Sequence, residues 1–385
     1  MKTEETSRVL EKTEKALPKK YYLQAEHYEN ELEAIWFKKW LYVCRSEAIE
    51  KRGDYQVLEV GGQSIIVTRG KEGAIHAFHN TCRHRGSLLT TESKGCFAGS
   101  IVCPYHAWTY ALSGQLVGTR HQLKCDDFDK QDYTLFQVGV EEWDGFVFVN
   151  LAPDAAPPLL DALREDSEFS RLKNWGLSEL RPAFYSRKIL DCNWKIFHEN
   201  FSECFHCPGV HPELCDIVPI YGRALVEGDP EAIEHHKSNP GNLPATGFRP
   251  GAVTWSMDGK SNIPQFTNVT DEDLAEGVRY FKLNPGFIIE ALRDFVSVIR
   301  IIPLAPEKTE VVSELLFHPS VPGNYDGDIK SISEFNDLVM VQDCRICEIN
   351  QKGLHSNRFE NGVLVPQEYG LFKFHNWLLR ELGEK

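Results

Sequence analysis

Residues 78–89 read FHNTCRHRGSLL and residues 102–110 read VCPYHAWTY. They carry two pairs, Cys82-x-His84 and Cys103-x-x-His106, with eighteen residues between them. Two thiols and two imidazoles offer four ligands, enough for tetrahedral zinc or for an iron–sulfur cluster. The C-x-H pair is tighter than the roughly two to four residues that separate paired zinc-finger ligands. Each pair also supplies one Cys and one His, the set needed by a cluster with two thiolates on one iron and two imidazoles on the other. Both pairs fall at turns between short strand-like runs, with Gly86 and Pro104 shaping the backbone.

Outward from this stretch the chain keeps the same character. YQVLEV, SIIVTRG, AIHAFHN, SIVCPYHAWTY and FVFVNL are β-branched or aromatic and are separated by Gly-containing turns, the pattern of an antiparallel β-domain. That domain is predicted over residues 45–152. Residues 1–44 form an arm: a charged lead-in, then helical spacing over Tyr28–Trp40 with Leu32, Ile35 and Trp36 on one face. PDAAPP at 153–158 is a linker by composition. Residues 153–385 form a second domain. Helix is predicted at Leu159–Trp175, Ile329–Leu354 and Phe372–Leu382, and strand at Ala183–Leu190, Phe287–Ile289, Phe295–Pro303 and Glu310–His318. Residues 222–270, rich in Gly, Pro and Asn, read as an irregular insertion. The fold class is α+β, the second domain being a sheet with helices packed on one side.

A chain of 385 residues can hold two domains with real cores. Lys and Arg number 42 against 56 Asp and Glu, a net charge of −14. That balance argues against a nucleic-acid groove and against attraction to an anionic membrane. The longest apolar runs, such as Phe146–Leu151, are far short of a span. The N-terminus is charged and lacks a signal-peptide core, so a cytoplasmic location is expected. There the eleven cysteines should be thiols or metal ligands rather than disulfides.

A second chemical stretch lies at 193–214, NWKIFHENFSECFHCPGVHPEL. His198, Glu199, Glu203, His206 and His211 stand among Trp194, Phe197, Phe201 and Phe205. Such groups are costly to bury unless paired or bound to a metal. His198-Glu199 begins an HExxH motif, but position 202 is Ser, so a zinc-protease site fails. Cys204/Cys207 with Cys344/Cys347 offer two CxxC pairs and hence a zinc alternative. On the helix Ile329–Leu354, the neighbours of Asp343 at three and four residues are Val339, Met340, Ile346 and Cys347, all apolar. Those of Glu348 are mostly polar, and those of Asp337 are mixed. Asp343 is therefore the acid on the buried face.

With these motifs in place, the chain resembles the Rieske non-heme iron oxygenases over roughly residues 25–380. The resemblance assigns Cys82, His84, Cys103 and His106 to a Rieske 2Fe–2S cluster. It also implies a mononuclear Fe(II) held by two His and one carboxylate, which leaves positions open for O2. Glu203-Cys204-Phe205-His206 and His211-Pro212 match the family's acid-x-x-His, four residues, His, with Phe205 where Tyr is common. QDCRICEINQKGL matches its third-ligand helix. The implied iron ligands are His206, His211 and Asp343, and the catalytic domain is of Bet v 1/START type.

In this family head-to-tail homotrimers bring one subunit's cluster to the next subunit's iron. Glu203 holds the position of the carboxylate that bridges the two, from His106 to His206. No GxGxxG occurs, so electrons from NAD(P)H are expected through a ferredoxin or a flavin-containing reductase. ENFSECFHCPGVHPEL, with Glu as the bridging acid, is similar to the oxygenases of choline, glycine betaine and carnitine. The expected function is therefore that of a terminal oxygenase (alpha) subunit that hydroxylates or oxidatively demethylates a small organic substrate, a quaternary ammonium compound. Cations of this kind bind aromatic faces, and Tyr185, Trp255, Phe266, Tyr280, Phe281, Phe287 and Phe295 are available. The alternatives are an aromatic-ring hydroxylating dioxygenase alpha subunit, a Rieske electron carrier and a zinc-dependent binding module. A carrier would need only the first domain.

Overall fold

Alternating apolar residues fold the first half into short antiparallel strands in the computed structural model, which describes residues 10–224, 247–274 and 277–384. The chain enters through a strand, β1 (Glu14–Pro18), and two short helices, α1 (Lys20–Leu23) and α2 (Ala25–Glu31). The predicted helix Tyr28–Trp40 is shorter than expected and changes to a wider π-type turn over Leu32–Trp36.

Ten strands follow: β2 (Leu41–Arg45), β3 (Asp54–Val60), β4 (Gln63–Arg69), β5 (Ile75–His79), β6 (Lys94–Cys96), β7 (Ser100–Val102), β8 (Trp108–Ala111), β9 (Leu116–Thr119), β10 (Gly139–Trp143) and β11 (Phe146–Asn150). They form three antiparallel sheets in the orders β5-β4-β3-β6, β7-β8-β9 and β10-β11-β2. The β10–β11 hairpin turns at Asp144-Gly145, both with positive φ, the backbone that a two-residue hairpin demands. The metal-motif residues occupy the β5–β6 connection and the β7–β8 turn. These two loops close alike: Gly86 N donates to Cys82 O, and Ala107 N donates to Cys103 O.

Helix α3 (Leu159–Leu163) ends this unit, and the predicted helix Leu159–Trp175 is two pieces. Asp166 accepts a hydrogen bond from Glu168 N and restarts the chain as a 3₁₀ segment, Ser167–Trp175.

The second unit is built on a five-stranded antiparallel sheet. Its strands are β12 (Arg181–Leu190), β13 (Arg279–Leu283), β14 (Phe287–Ala291), β15 (Val296–Ala305) and β16 (Lys308–Phe317), in the order β12-β16-β15-β14-β13. Helices α4 (Trp194–Asn200), α5 (Cys207–Val210) and α6 (Pro212–Ile217) come from the His-rich stretch. The 29-residue helix α7 (Asp326–Leu354) buries Ile332 and Phe335 in one apolar cluster with Leu315 and Phe317 of the sheet. Strand β17 (Asn361–Leu364) and helix α8 (Tyr369–Glu381) finish the chain. A long helix against an antiparallel sheet is the predicted α+β catalytic fold. Strand β13 was not predicted. Of the irregular stretch 222–270, residues 247–270 form turns and bends without helix or strand, and 225–246 lie outside the described residues.

The chain divides into compact units at 34/35 and 163/164, whereas the sequence places boundaries at 44/45 and 152/153. The arm up to Ala34 belongs with the second unit for two reasons. Strand β1 pairs with β17. Glu31 of α2 is fully buried against Lys195 of α4, at 2.6 and 2.9 Å, and also accepts from Trp194 Nε1. Among the described residues no helix is long and apolar enough to cross a membrane.

Candidate metal centres and active-site cavity

In the β-domain the four motif residues converge in two layers. Cys82 and Cys103 are buried and their thiols lie within hydrogen-bonding reach of each other. His84 is exposed and His106 half-buried, their ring centroids 4.7 Å apart. His84 also stacks on Trp108 at 4.9 Å. Tyr110 Oη lies 3.3 Å from Cys82 Sγ and accepts from Arg83 N. Burial pushes the Cys82 thiol up, so without a metal it stays protonated. Two sulfurs inside and two imidazoles toward solvent suit a cluster with one iron on each pair.

The second site is assembled by three elements. Asn193 caps α4 by accepting from Lys195 N, and α4 ends before the loop that carries Glu203 and His206. His211 lies between α5 and α6, and Asp343 lies on the buried face of α7. His211 Nε2 is 2.9 Å from Asp343 Oδ1 and 3.2 Å from His206 Nε2, and His206 Nε2 is 3.4 Å from the same oxygen. The outer faces of the rings are fixed. His206 Nδ1 is 2.8 Å from Glu203 Oε1, His211 Nδ1 is 2.8 Å from Gln342 Oε1, and Asn200 Nδ2 donates to Asp343 Oδ1. Acceptors on both Nδ1 atoms fix the rings with Nε2 turned to the common point, where its lone pair would serve a metal.

Burial alone would lower the pKa of His206, but hydrogen bonds to Asp343 and Glu203 outweigh it and raise it to about 9. Asp343 goes the other way: burial raises it, and His206 and His211 hold it below the usual carboxylate range. Two imidazoles and a carboxylate this close are the donor set of a non-heme iron triad.

Cys207 Sγ also comes within 4.8 Å of the His206 and His211 donors. It is no thiolate, however, because Cys204 and Cys207 form a disulfide. This corrects the expectation that the cysteines are thiols or metal ligands. Their i,i+3 spacing in a turn sets the Cα atoms 5.0 Å apart, inside the range a disulfide spans. The zinc alternative thereby loses two donors, and Cys347 Sγ is directed at Ile196 O. His198 and Glu199 point away from the triad. His198 stacks on Phe374 and bonds Asn284, and burial holds it down to about 3. Glu199 accepts from Tyr22 Oη and faces His375.

Beside the triad lies a cavity of about 270 Å³ between the sheet and α7. Phe201, Tyr221, Trp255, Tyr280 and Phe335 are its aromatic walls. Of the aromatics considered from sequence, only Trp255 and Tyr280 reach it. Phe281, Phe287 and Phe295 are buried in the core, and Tyr185 is exposed on the edge strand β12.

Two residues that sequence reading missed, Lys282 and Glu290, also line the cavity. Burial lowers Lys282 to about 8 and raises Glu290 to about 7. Their signal was one charge inside each otherwise apolar run, Lys282 in YFKL and Glu290 in FIIEA.

The family described as "Ring hydroxylating alpha subunit (catalytic domain)" matches residues 161–384, and "Rieske [2Fe-2S] domain" matches 39–129. The chain is similar to the glycine betaine monooxygenase oxygenase subunit of Chromohalobacter salexigens, with 31% identity over 94% of this chain and 84% of that one. It is 35% identical to the carnitine monooxygenase oxygenase subunit of Escherichia coli, over 94% and 92% of the two chains. The fold matches a quaternary ammonium Rieske monooxygenase described in connection with carnitine oxidation and inter-subunit electron transfer. There the TM-score is 0.74 and the identity 22%, over 96% of each chain.

Proposed function

The chain belongs to the ring-hydroxylating oxygenase alpha subunits with a Rieske [2Fe-2S] domain, and on that premise we propose that it oxidises a quaternary ammonium compound. It is an oxidoreductase of Rieske type, and its cofactors are a Rieske 2Fe–2S cluster and a mononuclear iron. We assign the cluster to Cys82, His84, Cys103 and His106, and the iron to His206, His211 and Asp343. When bound, the cluster delivers electrons one at a time and the iron supplies the O2 chemistry that inserts oxygen. An oxygenase subunit of this kind takes its electrons from a partner reductase or ferredoxin.

The observation that carries the substrate reading is the aromatic cavity beside the His206–His211–Asp343 cluster. Its volume suits a small molecule. Aromatic faces attract a quaternary ammonium, which has no N–H to offer a hydrogen-bond acceptor. Within the chain the work of the side chains is positional. Glu203 and Gln342 set the tautomers of His206 and His211, and Asn200 orients Asp343. Glu203 is further assigned as the bridge to His106 of a neighbouring copy in a head-to-tail homotrimer. Its carboxylate already engages His206 and is largely buried. A cytoplasmic location completes the reading.

The test is oxygen uptake by the reconstituted oxygenase and reductase. Glycine betaine, carnitine and choline form one panel and aromatic acids the other. Uptake with loss of an N-methyl or trimethylamine group is expected in the first panel. Coupled uptake in the aromatic panel alone would overturn the substrate class and favour a ring dioxygenase.

A further inference from the structure

The floor of the cavity holds two side chains of opposite charge that ligation of the iron does not use. Sheet register puts them there. Tyr280 and Lys282 share one face of β13, Glu290 lies directly across from Tyr280, and Ser297 lies across from Glu290 on β15. Lys282 pairs with Ile288, so Lys282 and Glu290 are diagonal neighbours. Such pairs are separated by about 7–8 Å, and Tyr280 stands beside both. Lys282 Nζ donates to Phe201 O and Ser202 Oγ, which anchors it under the loop leading to Glu203. Glu290 is hydrogen-bonded to Ser297 and lies within electrostatic reach of Asp343.

Among the described residues neither Lys282 nor Glu290 forms an ion pair. They attract one another through space, but a buried charge without a contact partner is still expensive. The cost is offset when a ligand brings the complementary charge to each.

We propose that Glu290 and Lys282 determine specificity by reading a zwitterion, Glu290 facing a quaternary ammonium and Lys282 taking a carboxylate a few bonds away. Tyr280 and Trp255 supply aromatic faces to the same ammonium end. That end is the one nearer Asp343, where a carbon bonded to the nitrogen must sit to be oxidised. The inference rests on the quaternary-ammonium reading and narrows it: a betaine is preferred over a cation without a carboxylate.

The experiment measures kcat/KM and equilibrium binding with four probes. Glycine betaine and carnitine carry both charges, choline lacks the carboxylate, and 3,3-dimethylbutanoate has an uncharged tert-butyl group in place of the ammonium. In the unaltered enzyme one of the two betaines is expected to exceed choline and 3,3-dimethylbutanoate by about tenfold or more, the discrimination a buried polar contact supplies. Glu290→Gln should erase the margin over 3,3-dimethylbutanoate and keep that over choline. Lys282→Met should do the reverse. Lys282→Gln repeats the second test while keeping a donor for Phe201 O and Ser202 Oγ, and iron content verifies that each variant is assembled.

If choline matches or exceeds both betaines, or if the variants lower all probes equally, the zwitterion reading falls while the quaternary-ammonium reading stands. If no quaternary ammonium compound binds or turns over and aromatic acids do, both fall.

Discussion

His206 is held from both sides of its ring, Nδ1 by Glu203 and Nε2 within reach of Asp343 and His211. Replacing Glu203 by Gln keeps a hydrogen-bond acceptor but removes the charge and changes the bridging geometry. Both metals should remain, and substrate-coupled turnover should fall about 10–100-fold, as when a partner of a metal-bound His is lost. Normal turnover in that variant would sink the bridge. The same geometry sets a pH dependence. Without metal, the His206 pKa is raised to about 9, so at pH 7 its imidazole is protonated and iron must displace that proton. Fe(II) affinity of the metal-free enzyme should therefore climb as pH rises toward 9, with about one proton released per chain at pH 7. Anaerobic titration in buffers of different ionisation enthalpy measures both, and a pH-independent affinity would contradict the assignment of His206.

At the scale of elements, the iron loop is clamped by its neighbours. Gly370 at the start of α8 packs so closely on Ser202 that a Cβ there would lie 2.2 Å from the Ser202 carbonyl oxygen. Ser202 in turn donates to His198 O and accepts from Lys282. Gly370→Ala must push this loop away from α8. We expect a loss of about 1–3 kcal/mol in unfolding experiments, with faster loss of the mononuclear iron to a chelator than of the cluster. Helix α2 is tied to α4 by the buried Lys195–Glu31 pair. Lys195→Met strands a buried carboxylate and should cost about 3–5 kcal/mol, whereas Glu31→Leu with Lys195→Met together should cost far less. Urea unfolding of the single and double variants separates the two cases.

At the scale of the molecule, the two candidate metal sites belong to different compact units of the chain. If electrons cross between copies, a cluster-dead Cys103→Ala chain and an iron-dead Asp343→Ala chain should rescue one another when mixed before assembly. No activity in verified mixed oligomers would count against transfer between subunits.

Spacing along the sequence, with the family resemblance, was enough to nominate both candidate ligand sets. Cys82, His84, Cys103 and His106 lie in two tight turns, and His206 and His211 flank one short helix. The helical period on α7 then singled out Asp343, because a buried face shows in residues three and four apart. Local patterns are legible wherever the chain itself brings the groups together. What only the tertiary structure decided depends on contacts between distant segments. The arm up to Ala34 joins the second unit because Glu31 finds Lys195 and β1 finds β17. Lys282 and Glu290 meet the cavity because β13 and β14 pair in one register. A shift of one residue would have turned both charges to the other face, and no local pattern specifies that choice.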